Sequence, residues 1–269
     1  MVVSVPMLEK DLWIAPLEDE QIDNLENKWF YNDPIFNLCI QLSYLNSSNQ
    51  ESYGAVALQE IDKIPRIIGL GWNIYMGGET DFKRQGYANH AEFQAAAVAE
   101  SLGYNLNDKS KDTTIYVAGR ILKEDLLFFN APGIPFTCLT CTKTLSKYFK
   151  NVSLSVPTPN NGWWHMTIEE AHNSALHFRY NNLRRENVIA YFAKASRLET
   201  SFKQKNVNQL ITNLKQRSIM IDKKLERNVL NSYEQVHQFT STQRRALMES
   251  LITPDYKTLR DGVQASLTY

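Results

Sequence analysis

Strand-forming and helix-forming stretches alternate along residues 53–193, and this alternation restricts the chain to a sheet flanked by helices. The runs YGAVALQEI and RIIGLGWN flank the turn-like DKIP, so they predict a β-hairpin at about 53–73. A glycine-bearing loop leads into an alanine-rich helix at 90–102, and TTIYVAGRIL at 113–122 is predicted as the third strand. The chain therefore belongs to the α/β class.

Two further helices and two further strands complete the predicted sheet. The stretch FTCLTCTKTLSKYFKN predicts a helix that begins at the cysteines, and VSLSVPTP is the fourth strand. Thr167 and Glu170 form the capping-box pattern at the start of the next helix. ENVIAYF at 186–192 is the fifth strand. Because a helical crossover returns the chain in the same direction, we expect strands four and five to be parallel.

The expected architecture is a three-layer α-β-α sandwich around a five-stranded mixed sheet. A first helix within 33–49, with Asp33 as its cap, precedes the hairpin. The helices that carry HAE and C-x-x-C should lie side by side. From about 196 to 250 the apolar spacing is helical and shows no strand signal. The predicted division is a main domain at 1–195, with its core at 53–193, and a helical C-terminal extension at 196–269.

Composition and length agree with a folded, water-exposed protein. The chain has 269 residues, of which 43% are apolar and 22% are charged, close to the values of ordinary globular domains. No apolar run approaches the roughly 20 residues that a transmembrane helix needs, and the start lacks the features of a signal peptide. Three cysteines are too few for a secreted disulfide framework. We therefore expect a cytoplasmic protein with no membrane partner.

Charge is distributed unevenly although the net charge is zero. Residues 1–182 hold 14 basic and 21 acidic side chains, whereas residues 183–269 hold 15 basic and 8 acidic ones. A basic C-terminal segment can attract nucleic acid, but it can equally dock on the acidic part of its own or a neighbouring chain. The simplest interpretation is a solvated helix face, with side chains such as Lys223, Lys224, Arg244 and Arg245.

Cys138 and Cys141 stand in C-x-x-C spacing at a predicted helix start. The helix dipole favours thiolates there, and the spacing lets both sulfur atoms turn toward one ion. Taken alone, the pair is compatible with zinc or with a redox dithiol. Cys39 lies on the apolar face of the first helix and is expected to be an ordinary buried thiol. A catalytic zinc site needs three protein ligands, and His90 is the histidine that starts a helix after a strand pair.

Glu92 follows His90 by two residues at the same helix start. Without the cysteines, His90 and Glu92 would be interpreted as a surface pair. With them, we predict one zinc ion per chain held by His90, Cys138 and Cys141. Glu92 then lies near the metal and serves as the general acid and base. The order H-x-E followed by C-x-x-C is a signature of zinc-dependent nucleobase deaminases.

Three stretches resemble one known family, namely HAE at 90–92, PFTCLTC at 135–141 and GLGWN at 69–73. They resemble the cytidine and deoxycytidylate deaminase superfamily, particularly the branch that includes deoxycytidylate deaminases and tRNA adenosine deaminases. The resemblance covers about 53–193 in motif order. It implies a substrate-binding role for Asn73, and Ala91 is the second predicted substrate-binding residue. It also implies a homodimer or higher homo-oligomer.

The resemblance implies a zinc-dependent enzyme that replaces the amino group of a nucleobase with oxygen and releases ammonia. We predict cytosine in a nucleoside or nucleotide as the substrate. The basic C-terminal segment leaves open a deaminase of adenosine or cytidine in tRNA or in a single strand. A rival from another class is a non-catalytic, zinc-stabilised interaction module. Such a module would have no reason to keep Glu92.

Overall fold

The structure of the chain, a computed structural model, describes seven stretches of sequence. These stretches are 32–46, 51–75, 88–123, 126–129, 139–158, 162–173 and 206–254. Cys138 and the predicted fifth strand at 186–192 lie outside the described residues.

The strands, in chain order, are β1 (Glu51–Ile61), β2 (Ile64–Trp72), β3 (Ile74–Tyr75), β4 (Ala88–Asn89), β5 (Thr113–Lys123), β6 (Leu126–Phe129), β7 (Val152–Thr158), β8 (Gly162–Thr167) and β9 (Met220–Ile221). The helices are α1 (Pro34–Ser43), α2 (Ala91–Ser101), α3 (Leu139–Tyr148), α4 (168–173), α5 (Val207–Gln216), α6 (Lys223–Leu225, continued by a π-helix at Glu226–Leu230), α7 (Tyr233–Gln238) and α8 (Ser241–Leu251). Within the described residues, no helix is both long and apolar enough to cross a bilayer.

One mixed, open sheet organises the fold. Its strand order is β8-β7-β5-β1-β2-β9, and β6 pairs with β5 beside this path. The pairs β5-β7 and β2-β9 are parallel, whereas β1-β2, β1-β5, β5-β6 and β7-β8 are antiparallel. The α/β class and the mixed sheet are therefore confirmed. The described sheet has seven strands, however, where five were predicted.

The additional strands are short or lie in stretches predicted as connections. β6 and β9 have four and two residues, which is too short for a recognisable alternation of apolar and polar positions. β9 also corrects the prediction that 196–250 has no strand. β8 is the antiparallel outer neighbour of β7. The parallel neighbour predicted for β7 was instead the stretch 186–192, which is not among the described residues.

Helices α1 and α2 cover opposite faces of the sheet, and glycines mark both contacts. A Cβ atom on Gly54 would lie 2.0 Å from a carbonyl oxygen of α1. A Cβ atom on Gly69 or on Gly71 would lie 2.1 Å from a carbonyl oxygen of α2. Gly54 pairs with Trp72, and successive residues of a strand point to opposite faces. The glycines of GLGWN therefore let the backbone of α2 lie directly on β2.

Helix α3 lies between β6 and β7 in the chain and packs beside α2, as predicted. The rings of Phe93 in α2 and Phe149 after α3 pack with their centroids 6.1 Å apart. The starts of both helices lie close together, because Nδ1 of His90, directly before α2, is 3.2 Å from Sγ of Cys141 in the first turn of α3. This arrangement brings the two helix N-termini together.

The C-terminal helices pack on α1 and on the edge of the sheet. The hydroxyl of Tyr233 donates to the carbonyl oxygen of Gln41, at 2.7 Å. Arg244 donates to the carbonyl oxygen of Leu45, at 3.0 Å, and to two carbonyl oxygens at the end of α7. The prediction of Arg244 as part of a solvated face is therefore wrong, because its half-buried guanidinium joins three chain segments. Burial lowers the pKa of this guanidinium from its ordinary value.

Candidate metal centre

His90 lies between β4 and α2, at the position that precedes the helix. Its backbone is extended, with φ −75° and ψ 151°, and its side chain makes no capping hydrogen bond to α2. The ring is directed toward α3 instead, where Nδ1 lies 3.2 Å from Sγ of Cys141. Pairing of Ile74 with Asn89 holds β4 beside the chain that leaves β2. The pairing of β3 with β4 thus places His90 beside the N-termini of α2 and α3.

Glu92 occupies the first turn of α2 and is only 2% exposed. Its carboxylate oxygen, a ring nitrogen of His90 and Sγ of Cys141 all lie within 4.8 Å of one another. A helix N-terminus favours negative charge, which suits both the carboxylate and a thiolate. This group of nitrogen, oxygen and sulfur donors could hold a metal ion.

The donor types and the spacing fit zinc. A tetrahedral zinc ion bound by imidazole at ~2.0 Å and by thiolate at ~2.3 Å separates the two ligand atoms by roughly 3.5 Å. The observed separation between His90 and Cys141 is 3.2 Å. One ion can therefore take both ligands with little movement of either side chain. Glu92 is close enough to be a further ligand or to act on a molecule bound at the ion.

Three of the four residues predicted for metal binding and proton transfer meet in this way, namely His90, Glu92 and Cys141. Cys138, the fourth, falls outside the described residues, which resume at Leu139. Across the stretches that the structure describes, this is the one group of three or more histidine, cysteine, aspartate or glutamate side chains with metal-binding spacing.

Asn73 and Ala91, the two predicted substrate-binding residues, contact each other. The backbone N–H of Ala91 donates to Oδ1 of Asn73, at 3.0 Å, and both residues are buried. The backbone N–H of Asn73 in turn donates to the carbonyl oxygen of Tyr53, at 3.2 Å. Asn73 therefore joins the end of β2 to the first residue of α2. Its contact with a substrate stays a prediction.

Thr142 and His172 form a contact that the sequence did not indicate. Thr142 is fully buried directly after Cys141, and its Oγ1 lies 3.0 Å from Nδ1 of His172 in α4. The predicted capping box at the start of α4 is confirmed, because Thr167 and Glu170 exchange hydrogen bonds between side chain and backbone. A bond between residues 30 positions apart has no local pattern that could announce it. The hydrogen bond between Thr142 and His172 anchors the first turn of α3 against α4.

Cys39 takes no part in the metal centre and is a buried free thiol, as predicted. Its Sγ donates to the carbonyl oxygen of Tyr116, at 3.5 Å. Burial, and secondly the nearby Asp33, raises the pKa of this thiol well above its ordinary value. A thiol that resists ionisation is a poor metal ligand and a poor nucleophile.

No protein-family model matches this chain, and no curated protein or solved structure matches it either. A functional interpretation therefore depends on the residues of the chain and on their geometry.

Proposed function

We propose that the protein is a zinc-dependent hydrolytic deaminase that acts on cytosine in a nucleoside or nucleotide. The observation that carries the proposal is the meeting of His90, Glu92 and Cys141 at the starts of two adjacent helices. Burying a carboxylate beside a thiolate is costly unless a cation offsets the negative charge. The arrangement of the three side chains therefore favours a bound metal ion over a purely structural cluster.

His90 and Cys141 would hold the zinc ion, and Cys138 would be the third protein ligand. Three protein ligands leave one position for a water molecule, which is the pattern of a catalytic rather than a structural zinc site. When bound, zinc would activate that water as the nucleophile for attack on C4 of the cytosine ring.

Glu92 would carry the protons. Its carboxylate, which lies within 4.8 Å of the His90 and Cys141 ligand atoms, would accept a proton from the attacking water and deliver it to the ring nitrogen. It would then help to protonate the amino group so that ammonia leaves. Burial of Glu92, which is 2% exposed, limits exchange of these protons with bulk water.

In this proposal, Asn73 binds a small polar substrate through its side-chain amide. Because its Oδ1 accepts the N–H of Ala91, the orientation of the side-chain amide is set. The NH₂ group is then available to donate to an oxygen of the substrate. Cytosine, rather than another base, is proposed from the resemblance of HAE, PFTCLTC and GLGWN to cytidine and deoxycytidylate deaminases.

Two alternatives have less support. A polynucleotide substrate was favoured by the basic C-terminal segment, but Arg244 is engaged by backbone carbonyls, and Lys215 forms a 2.6 Å ion pair with Glu226. These two cations are therefore less available to phosphates. A non-catalytic zinc module does not explain why Glu92 is buried within 4.8 Å of the two ligands.

The decisive experiment measures zinc content and ammonia release on the purified chain. The substrates are cytosine, cytidine and deoxycytidylate, their adenine and guanine counterparts, tRNA and single-stranded DNA. We expect one zinc ion per chain and ammonia release from a cytosine nucleoside or nucleotide. Glu92→Gln should keep the zinc and lose about 10²-fold or more in rate, the usual contribution of a general acid and base.

Matched variants separate the possible roles of the residues. Cys141→Ala should lose zinc, whereas Cys39→Ala, at the other buried cysteine, should keep it. Loss of zinc from Glu92→Gln would assign Glu92 as a ligand instead of a proton carrier. Release from tRNA or single-stranded DNA alone would favour the polynucleotide alternative. A fully zinc-loaded chain that releases no ammonia from any of these compounds would refute the enzyme proposal.

A further inference from the structure

The N-terminus of α2 lacks the cap that a helix normally carries. The first backbone N–H groups of a helix have no partner within it, and the side chain at the preceding position usually accepts from one of them. In α1, Asp33 does this, because its Oδ1 accepts the N–H of Phe36 at 2.7 Å. His90 holds the same position in α2 but makes no capping bond. Its ring is directed toward Cys141.

The missing acceptor comes from another element of the fold. Oδ1 of Asn73, at the end of β2, accepts the N–H of Ala91 over a sequence separation of 18 residues. Ala91 is fully buried and Asn73 is 6% exposed, so water does not compete freely for this bond. Asn73 is itself held by the bond from its own N–H to Tyr53.

We propose that Asn73 is a positioning residue, which caps α2 from the neighbouring strand and thereby orients His90 and Glu92 toward Cys141. Ala91 is the residue between His90 and Glu92, so rotation of its peptide plane would turn both side chains. The cap rests on the observed hydrogen bond alone. Its effect on the metal centre rests on the proposed function. The role is separate from any contact that Asn73 makes with a substrate.

There is a physical reason why Asn73, and not His90, caps α2. A histidine that binds a metal from the capping position cannot also use its ring to satisfy the helix. A buried N–H group without an acceptor is unfavourable, so the fold has to supply one from elsewhere. An asparagine fixed at the end of a strand provides it and leaves the histidine ring to the site.

Three variants of the full chain test the proposal. Asn73→Ala removes the acceptor. Asn73→Asp keeps an acceptor oxygen for the Ala91 N–H and replaces the NH₂ donor with a carboxylate oxygen, so it separates capping from donation to a substrate. Asp33→Ala is the matched control, because it removes the cap of α1, a helix on the opposite face of the sheet.

The first measurement is the hydrogen-exchange rate of individual backbone amides, which NMR monitors in the metal-free protein. We expect the Ala91 amide to exchange at least about tenfold faster in Asn73→Ala and at close to the wild-type rate in Asn73→Asp. Asp33→Ala should accelerate the Phe36 amide and leave Ala91 unchanged. An Ala91 rate that does not respond to Asn73→Ala would overturn the cap, whatever the metal does.

The second measurement is titration with Co²⁺, in which the thiolate-to-Co²⁺ charge-transfer bands and the ligand-field bands report binding. Loss of a residue that orients a metal ligand typically weakens metal affinity by about 10–100-fold, and we expect this for Asn73→Ala. Asn73→Asp should recover the wild-type spectrum, and Asp33→Ala should not change it. Faster exchange at Ala91 with unaltered Co²⁺ affinity would overturn the positioning role. A wild-type chain that binds no Co²⁺ would instead refute the proposed function, while exchange still decides the cap.

Discussion

Replacing Gly71 with alanine would test whether the contact between β2 and α2 sets the geometry of the metal centre. The new Cβ atom would lie 2.1 Å from the carbonyl oxygen of Ala91 and 2.7 Å from the backbone nitrogen of Ala95. Neither atom can rotate away, because both belong to the helix backbone. Ordinary contact begins at 3.4 Å, so α2 has to move by about 1.3 Å, the difference between 3.4 and 2.1 Å.

The expected losses differ for stability and for the site. Overpacking in a dense interior costs about 1–3 kcal/mol, and a clash with backbone should lie near the upper end. A displacement of about 1 Å can reduce the rate of an enzyme by about 10²-fold. Since the carbonyl of Ala91 lies between His90 and Glu92 in sequence, we expect metal affinity to fall by at least about tenfold, as for loss of ligand support.

Gly54→Ala is the matched control. Its Cβ atom would lie 2.0 Å from the carbonyl oxygen of Cys39 and 2.8 Å from Cβ of Leu42, so the clash is as severe but falls on α1. Guanidinium unfolding should show similar losses for both variants. Co²⁺ titration of the folded proteins should show weaker binding for Gly71→Ala alone. Equal effects on Co²⁺ binding, or a loss of stability below about 0.5 kcal/mol for Gly71→Ala, would refute the argument.

Two further predictions concern contacts outside the metal centre. Arg244→Ala should lower the free energy of unfolding by about 2–3 kcal/mol, because three carbonyl oxygens lose a charged donor. The neighbouring Arg245→Ala should change it by less than about 0.5 kcal/mol, and equal losses in denaturant unfolding would contradict the role of Arg244. Burial raises the pKa of the Asp33 carboxyl above its ordinary 3.8, although the N–H of Phe36 opposes this. The folded state therefore holds this proton more tightly than the unfolded state does. Its stability falls as pH rises from the unfolded-state pKa to the higher folded-state pKa. Asp33→Asn keeps an acceptor for Phe36 and cannot ionise, so its stability relative to wild type should increase from pH 3 to pH 7; a constant difference between the two proteins would contradict the shift.

Local patterns predicted the elements whose signals are long or chemically specific. The hairpin is rich in strand-forming residues over strands of eleven and nine residues, and its turn places Asp62 and Lys63 at positive φ, as tight hairpins require. The cap of α1 by Asp33 and the capping box of Thr167 with Glu170 involve residues within one turn of each other. Such signals depend on few neighbours, so they hold whatever the rest of the chain does.

Elements that depend on a distant partner were missed. β9 has two residues and exists because the edge of β2 offers Arg66 and Ile67 for pairing. Arg244 was interpreted as a solvated side chain, since nothing near it in sequence shows that Leu45 will present a carbonyl oxygen. In each case the partner, and not the residue, determines the structure.

The residues of the candidate site fall into the same two groups, namely those that local spacing predicted and those that depend on a distant partner. His90, Glu92 and Cys141 were identified from spacing, because the chemistry demands these residue types in this order. The bond between Thr142 and His172, and the bond between Ala91 and Asn73, follow from tertiary packing and carry no spacing rule. Spacing identifies the groups that react, whereas the groups that hold them become visible only in three dimensions.

The GLGWN stretch shows how the two kinds of residue are connected. Gly69, Gly71 and Asn73 alternate along β2 and its end, so all three face α2. The two glycines lack side chains and let the helix lie on the strand, and Asn73 then supplies the acceptor that His90 does not. A side chain at either glycine would lift the helix away from Asn73 and break the cap. The strand motif and the HAE motif therefore act as one unit, in which residues without any reactive group determine where the histidine and the glutamate lie.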